Sequence, residues 1–145
     1  MKQAITVFAL SLGLVVPAVA GEQLQVVTSE SLAIGGAQGT FAMSGDLTDS
    51  GITRFTLFFL AGSPTLVPST EHVIQVYRGA AGTLTVQNEC LTVAYGAGLL
   101  LDTCQAVVMD GTGAYVGRHG NGRCSGVLNF STGLATRICQ LRLNN

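Results

Sequence analysis

The chain has 145 residues, of which 48% are hydrophobic and only 10% are charged, and its formal net charge is −1. Its basic residues are scattered, so it lacks the electrostatic footprint of a protein that binds nucleic acid or an anionic membrane surface. Soluble domains usually carry about 25% charged residues, so solubility here must rest mainly on Ser, Thr, Gln and Asn. The length fits one domain with a core of its own.

Residues 1–20 have the pattern of a cleavable Sec-type signal peptide. Lys2 supplies the positive charge, residues 4–16 form an apolar run, and residues 18–20 form a small-residue cleavage site. The apolar run is short for a bilayer span, so no membrane anchor is expected. These features predict export to the periplasm or the cell exterior, with residues 21–145 as a single mature domain.

The four cysteines of an exported chain predict disulfide bonds. Four cysteines allow three pairings, but the predicted hairpins place Cys90 opposite Cys104 and Cys124 opposite Cys139. Residues directly opposite each other in an antiparallel pair lie about 4.5–5.5 Å apart, which is within disulfide reach. A zinc site would need closer Cys or His spacing. We therefore expect these two disulfides, no metal and no cofactor.

Hydrophobic residues in the mature chain recur with a period near two, which is typical of half-buried strands. Glycine, proline and other turn-forming residues interrupt the pattern at regular intervals, and no segment has the pattern of an amphipathic helix. The sequence predicts eight strands: 23–32, 39–48, 52–60, 71–78, 82–93, 99–109, 121–130 and 134–143.

Eight short strands joined by tight turns predict an all-β sandwich or an antiparallel up-and-down β-barrel. The chain has no Trp and so lacks the immunoglobulin Cys…Trp…Cys pattern. Closure into a barrel removes the exposed strand edges that would be hazardous in so apolar a chain. A small outer-membrane barrel is an alternative, in which Thr83, Thr85, Gln87 and Glu89 would have to face the lumen.

A glycine-rich window between the sixth and seventh predicted strands contains Gly111, Gly113, Gly117 and Gly120 around Tyr115. Its spacing fits neither a dinucleotide loop nor a phosphate-binding P-loop. Glycine suits tight corners and close backbone approach, so the window predicts a structural turn. We expect Tyr115 to plug one barrel end with its hydroxyl on a partner; a role as an acid in the lumen is the alternative.

The segment Gly111-Thr112-Gly113-x-Tyr115 resembles the G-T-G-x-[FY] turn of the allene oxide cyclase and dirigent barrel superfamily, including its small secreted bacterial members. Residues 39–51 and 79–86 are similar to those members too, and the resemblance spans about residues 39–143. It implies an eight-stranded antiparallel barrel with a narrow apolar lumen, assembled as a trimer or dimer. Plant members cyclise an unsaturated epoxide or steer phenoxy-radical coupling, and some bacterial members close polyketide rings.

Four further polar residues are candidates for ligand binding. Arg118 and His119 form a pair that could bind an anionic or carbonyl-bearing ligand at a barrel mouth, although a solvated loop pair is the plainer interpretation. Glu71 and His72 open a strand, and His72 shares a face with Ile74 and Val76. If that face is inward, His72 could act as a general base; otherwise it is a structural histidine.

No Ser-His-Asp triad or nucleophile elbow is present in the sequence. We therefore expect an exported barrel that binds a small apolar ligand or a protein partner, with homo-oligomers a further expectation. The alternative is a cyclase or dirigent-like isomerase, whose shaped lumen would fold a reactive substrate for ring closure or coupling. A lumen with buried ionisable groups and room for a ligand would favour the enzyme; a fully packed lumen would favour the structural role.

Overall fold

A computed structural model describes residues 21–61 and 68–144, except for the side chains of residues 58–60. The predicted signal peptide, residues 1–20, lies outside the described residues. The described chain forms eight strands: β1 (Glu22–Ala33), β2 (Gly36–Gly45), β3 (Asp49–Ala61), β4 (Ser69–Gly79), β5 (Thr83–Ala94), β6 (Leu99–Gly111), β7 (His119–Asn129) and β8 (Leu134–Asn144).

The strands form a closed antiparallel barrel in which each pairs with the next and β8 pairs with β1. The closing pair aligns Leu24 with Leu141 and Thr28 with Arg137. The predicted all-β, up-and-down barrel is therefore confirmed, and all eight predicted strands are present. Strands β2, β3 and β4 begin two or three residues earlier than predicted, because their first residues already pair with neighbouring strands.

Side chains alternate between the lumen and the outer face, as the pleat of a strand requires, apart from register shifts in the β3–β4 and β5–β6 pairs. In β5, Leu84, Val86 and Asn88 are buried in the lumen, whereas Gln87 and Glu89 lie on the outer face. The outer-membrane alternative requires the opposite orientation of this strand. Among the described residues, the one helix is the 3-10 turn Gly113–Tyr115, and none is long and apolar enough to cross a membrane.

The lumen has three layers along the barrel axis. An apolar cluster that includes Tyr77, Leu84 and Leu141 fills the end covered by Tyr115, which we call the Tyr115 end. A layer of polar side chains follows it. Two small apolar clusters that share Leu32 lie towards the other end, called the mouth, where strands β1, β3, β5 and β7 end.

Two disulfides, Cys90–Cys104 and Cys124–Cys139, link β5 to β6 and β7 to β8, as predicted. In both, the Cα atoms are 4.0 Å apart. The register also places Cys104 directly opposite Cys124. The four cysteines thus form one row across four neighbouring strands, and all face the lumen.

Candidate functional site

The centre of the lumen holds a connected group of polar side chains, which we call the lumen polar cluster. It is built from five strands, and every member is less than 4% exposed. A buried polar group is stable only when it is hydrogen-bonded, and a buried charge only when it is paired. The members are Thr28, Glu30, Thr53, Gln75, Asp102 and Arg137.

Arg137 is the hub of the cluster. Its Nε donates to Asp102 Oδ2 at 3.1 Å, and its Nη2 forms a second, short contact with the same oxygen. Strand β7 separates the two residues, which reach each other across Gly126. The ring of Phe55 lies 5.2 Å from the guanidinium carbon, which fits a cation–π contact.

Gln75 extends the cluster to the opposite wall of the barrel. Its Oε1 accepts a hydrogen bond from Arg137 Nη1 at 3.0 Å. Its Nε2 donates to Glu30 Oε1 at 2.6 Å and to Thr53 Oγ1 at 2.5 Å. One amide therefore links the cationic and anionic parts of the cluster and fixes its own orientation.

Carboxyl groups outnumber cations in this part of the lumen. Glu30, Glu71 and Asp102 face one guanidinium, that of Arg137. Burial raises the pKa of Glu30, although the hydrogen bond from Gln75 and the charge of Arg137 oppose the rise. Burial also raises the pKa of Glu71, against a lowering effect of the nearby Thr92 hydroxyl. Burial therefore favours the protonated form of both glutamates inside the barrel.

The charge of Arg137 is secured by its neighbours. Burial alone would lower the pKa of its guanidinium, but the carboxylate of Asp102, through its charge and its hydrogen bonds, raises it overall. Glu30 adds to this effect through space. The cluster therefore contains a permanent cation and one carboxyl group with a raised pKa, that of Glu30, and a second such carboxyl, that of Glu71, lies beside the cluster.

Three buried polar atoms beside the cluster lack a hydrogen-bond partner among the described residues: Ser69 Oγ, Asn88 Nδ2 and Asp102 Oδ1. Thr92 lies between Ser69 and Asp102 in the strand register. Its hydroxyl is close to Glu71 but does not meet the geometry of a hydrogen bond. An unsatisfied buried polar atom costs about 1–3 kcal/mol. Such a group of atoms is the expected surrounding of a ligand or ordered water.

The mouth above these atoms is apolar. Ile34, Tyr95 and Phe130 are exposed on three different turns at this end. A shallow concavity of about 380 Å³ lies between Phe130 and the turn after β5, and it includes Leu100. Because Leu100 also belongs to a buried cluster at this end, an apolar surface runs from the rim towards the polar layer.

Tyr115 closes the other end of the barrel, as predicted. It is 1% exposed, and its hydroxyl donates to Asp49 Oδ2 at 2.9 Å and contacts Met43 Sδ at 3.5 Å. Burial and the Asp49 carboxylate raise the pKa of this phenol. Because a phenol with a raised pKa stays protonated and already donates to Asp49, the hydroxyl acts as a structural donor in this arrangement.

The turn around Tyr115 is built as the glycines predict. Gly113 and Gly117 have φ values of +62° and +72°, which favour glycine. A Cβ atom at Gly111 would lie 2.5 Å from Tyr115 Cβ, and one at Gly120 would overlap the carbonyl oxygen of Arg142. The window is thus a corner whose shape depends on small residues.

The predicted pair Arg118–His119 also lies at the Tyr115 end. Arg118 Nη1 forms an ion pair with Glu22 Oε1 at 3.0 Å. His119 is exposed and opens β7, opposite Asn144. Neither residue is close in register to Glu71, which lies in the mouth half of β4, so the structure does not bring the predicted candidates into one site.

The face of β4 that carries His72 is not the inward one, so the condition for a lumenal general base is not met. Glu71, Val73 and Gln75 are buried on the inner face of β4, so His72 lies on the outer face with its side chain 36% exposed. Its Nδ1 is 3.9 Å from Glu89 Oε1. Period-two alternation grouped His72 correctly with Ile74 and Val76, but it gave no sign of which face is inward.

Sequence reasoning missed all six members of the lumen polar cluster, although a signal was present. Disulfides across neighbouring strands bury best inside a barrel, so Cys104 and Cys139 mark the inner face of β6 and β8. Asp102 and Arg137 stand two residues before those cysteines and share their face. The same alternation from Leu24 and Val26 would have marked Glu30 as buried.

Comparisons of the chain with protein-family models, with curated protein sequences and with solved structures found no match.

Proposed function

We propose that this protein is an exported binding protein whose lumen holds a small ligand in the half nearest the mouth. The observation that carries the proposal is the group of three buried, unpartnered polar atoms on Ser69, Asn88 and Asp102. A ligand that hydrogen-bonds to them would remove the cost of burying them unsatisfied. The Tyr115 end is filled by side chains, so the ligand would enter from the mouth.

The chemistry of the three atoms defines the head of the ligand. Asp102 Oδ1 can only accept a hydrogen bond when ionised, Asn88 Nδ2 can only donate, and Ser69 Oγ can do either. A head that both donates and accepts, such as a carboxamide or an alcohol, matches Ser69 Oγ and Asp102 Oδ1, whose residues flank Thr92 in the register. Asn88 lies four residues from Thr92 on the same face of β5, so its Nδ2 would contact another part of the ligand or an ordered water. The apolar surface around Leu100 at the mouth suits a small apolar body.

Export belongs to the same proposal. The two disulfides support it, because disulfides persist in oxidising compartments. The kinship with allene oxide cyclase and dirigent barrels also stays a proposal, supported by the closed eight-stranded barrel and the turn that carries Tyr115. Association into homo-oligomers would follow from that kinship.

A cyclase or isomerase acting in the same lumen is the second candidate. Glu71 favours this candidate. Its carboxyl group lies close to the unpartnered atoms, and burial raises its pKa. A buried carboxyl group with a raised pKa holds its proton more firmly than a free one and can act as a general acid. In this version the ligand is a substrate, and the shaped lumen holds it in a near-attack conformation.

Native mass spectrometry of the protein isolated from its exported form tests the binding proposal. We expect a small molecule bound to the native protein at high occupancy and to the Ser69→Ala variant at lower occupancy. Collisional activation in the mass spectrometer should release it. The matched control is Thr70→Ala, because Thr70 is the neighbouring residue on the outer face. A bare polypeptide mass in all three proteins would contradict the proposal.

Glu71→Gln separates the two candidates. The amide keeps the shape of the side chain but cannot supply a proton as a carboxylic acid does. If the protein only binds, the variant should retain its ligand unchanged. If the protein is an enzyme, the variant should accumulate unconverted substrate. The molecule released from the variant should then differ in structure from the molecule released from the native protein.

A further inference from the structure

The outer face of β2, β3 and β4 has a concavity of about 600 Å³. Hydroxyl and amide side chains line part of it, including Gln38, Thr40 and Thr56. Its two charged lining residues are Arg54 and Arg78, and no carboxylate belongs to the lining. The concavity is thus a local cationic site on a chain that is acidic overall.

The strand register places the two arginines close together. Arg54 on β3 is directly opposite Val76, and Arg78 on β4 is directly opposite Ile52. The arginines are therefore diagonal neighbours on one face, and such positions lie about 7–8 Å apart. Both side chains are exposed, so their guanidinium groups can turn towards a common point above the sheet.

No acidic partner offsets this pair of charges within the described chain. The ion pairs formed there involve other cations: His72, Arg118 and Arg137. The nearest acidic side chain on the outer face of β5, Glu89, lies opposite His72 at the mouth end of the strand. Two like charges side by side repel each other, and an anion between them would turn the repulsion into attraction.

We propose that this concavity binds a small, soluble organic phosphate or sulfate ester, held between Arg54 and Arg78. Guanidinium groups form paired hydrogen bonds with tetrahedral oxyanions, and hydroxyl groups of the lining add further donors. Ile52, which is 62% exposed, and Val76 supply an apolar surface for the organic substituent. The site is separate from the lumen, whose unpartnered atoms face the other side of the sheet.

Titration with phenyl phosphate, followed by calorimetry and amide NMR shifts, tests the site. We expect binding that weakens with added salt and shift changes confined to β2–β4. Arg54→Gln and Arg78→Gln should each lower the affinity about tenfold, since a hydrogen bond to a charged group contributes about one such factor. Arg123→Gln, an exposed arginine on the outer face of β7, should change it less than about twofold, the spread expected of a surface change.

The organic group and the source of the phosphate each have their own test. Ile52→Ser should weaken phenyl phosphate but not inorganic phosphate. Vesicles of phosphatidylcholine with phosphatidic acid should not sediment the protein. Unchanged binding in the Arg54→Gln/Arg78→Gln double variant, or equal loss in Arg123→Gln, would overturn the site. Sedimentation that depends on the two arginines would overturn the assignment to a soluble ester.

Discussion

Arg137 contacts Asp102 across an intervening strand, because the residue between them, Gly126, has no side chain. Gly126 is directly opposite Asp102 on one side and Arg137 on the other. A Cβ atom at this position would overlap Asp102 Oδ1. The buried ion pair at the centre of the lumen therefore depends on the space that Gly126 leaves between its two members.

Gly126→Ala is the direct test of this dependence. We expect the added methyl group to displace the Asp102 carboxylate and lower the free energy of unfolding by about 1–3 kcal/mol, the usual cost of overpacking. Chemical denaturation monitored by circular dichroism measures it. The penalty should shrink when Asp102 is also replaced by Ser. An equal penalty in both backgrounds would mean that the glycine serves only the backbone.

The ion pair itself should show strong coupling between its members. Asp102→Leu leaves Arg137 buried without its main partner, and Arg137→Met leaves the carboxylate alone; each should cost about 3–5 kcal/mol. The double variant should cost much less than the sum, because neither charge is then left unpaired. Additive losses in a double-mutant cycle would contradict the pairing.

Stability should fall as pH rises from weakly acidic values. Glu30 and Glu71 have pKa values raised above the ordinary 4.5 in the folded state, so in that range the folded chain holds protons that the unfolded chain releases. Their stabilising effect is complete below pH 4.5 and is lost as pH rises through the raised values. Thermal denaturation at a series of pH values measures this dependence.

Glu71→Gln should flatten that pH profile and raise the melting temperature at pH 7, because the variant no longer buries an ionisable carboxyl. Glu89→Gln is the control, since Glu89 lies on the outer face with its side chain 73% exposed. A profile that keeps its slope in Glu71→Gln and Glu30→Gln alike would show that other groups set the pH dependence.

Tyr115→Phe should preserve the fold but lower its free energy of unfolding. The variant leaves the buried Asp49 carboxylate without the phenol donor, although the amide of Ser50 still donates to Asp49 at 2.8 Å. We expect a loss of about 1–3 kcal/mol. Tyr95→Phe, at an exposed position, should change the stability by less than about 0.5 kcal/mol. Equal stability in the two variants would contradict the role of the phenol.

The fold could be predicted because its signals are local. Period-two alternation and regular turn residues give strands, and the expected cross-strand disulfides fit adjacent hairpins. The register explains why cysteine spacing alone leaves the pairing open: Cys104 is directly opposite both Cys90 and Cys124. Hairpin connectivity, rather than distance in the sheet, distinguishes the two neighbours.

The site was harder to predict because it joins residues that are distant in sequence. Gln75 contacts Glu30 and Arg137, which are 45 and 62 residues away. Whether a polar residue in a strand faces the lumen depends on the orientation of the whole strand. Glu71 and His72 are neighbours in sequence, yet Glu71 faces the lumen and His72 the outer face. Alternation leaves two possible orientations for a strand. In β4, where both faces carry polar and apolar residues, closure of the barrel selects one of them.

A crystal structure of the exported protein at about 1.5 Å resolution or better would test the central claim most directly, because it would show what contacts the three buried polar atoms. We predict density for a non-water molecule within hydrogen-bond distance of at least one of Ser69 Oγ, Asn88 Nδ2 and Asp102 Oδ1, which lack partners in the described chain. Density for side chains or water alone at all three atoms would contradict it.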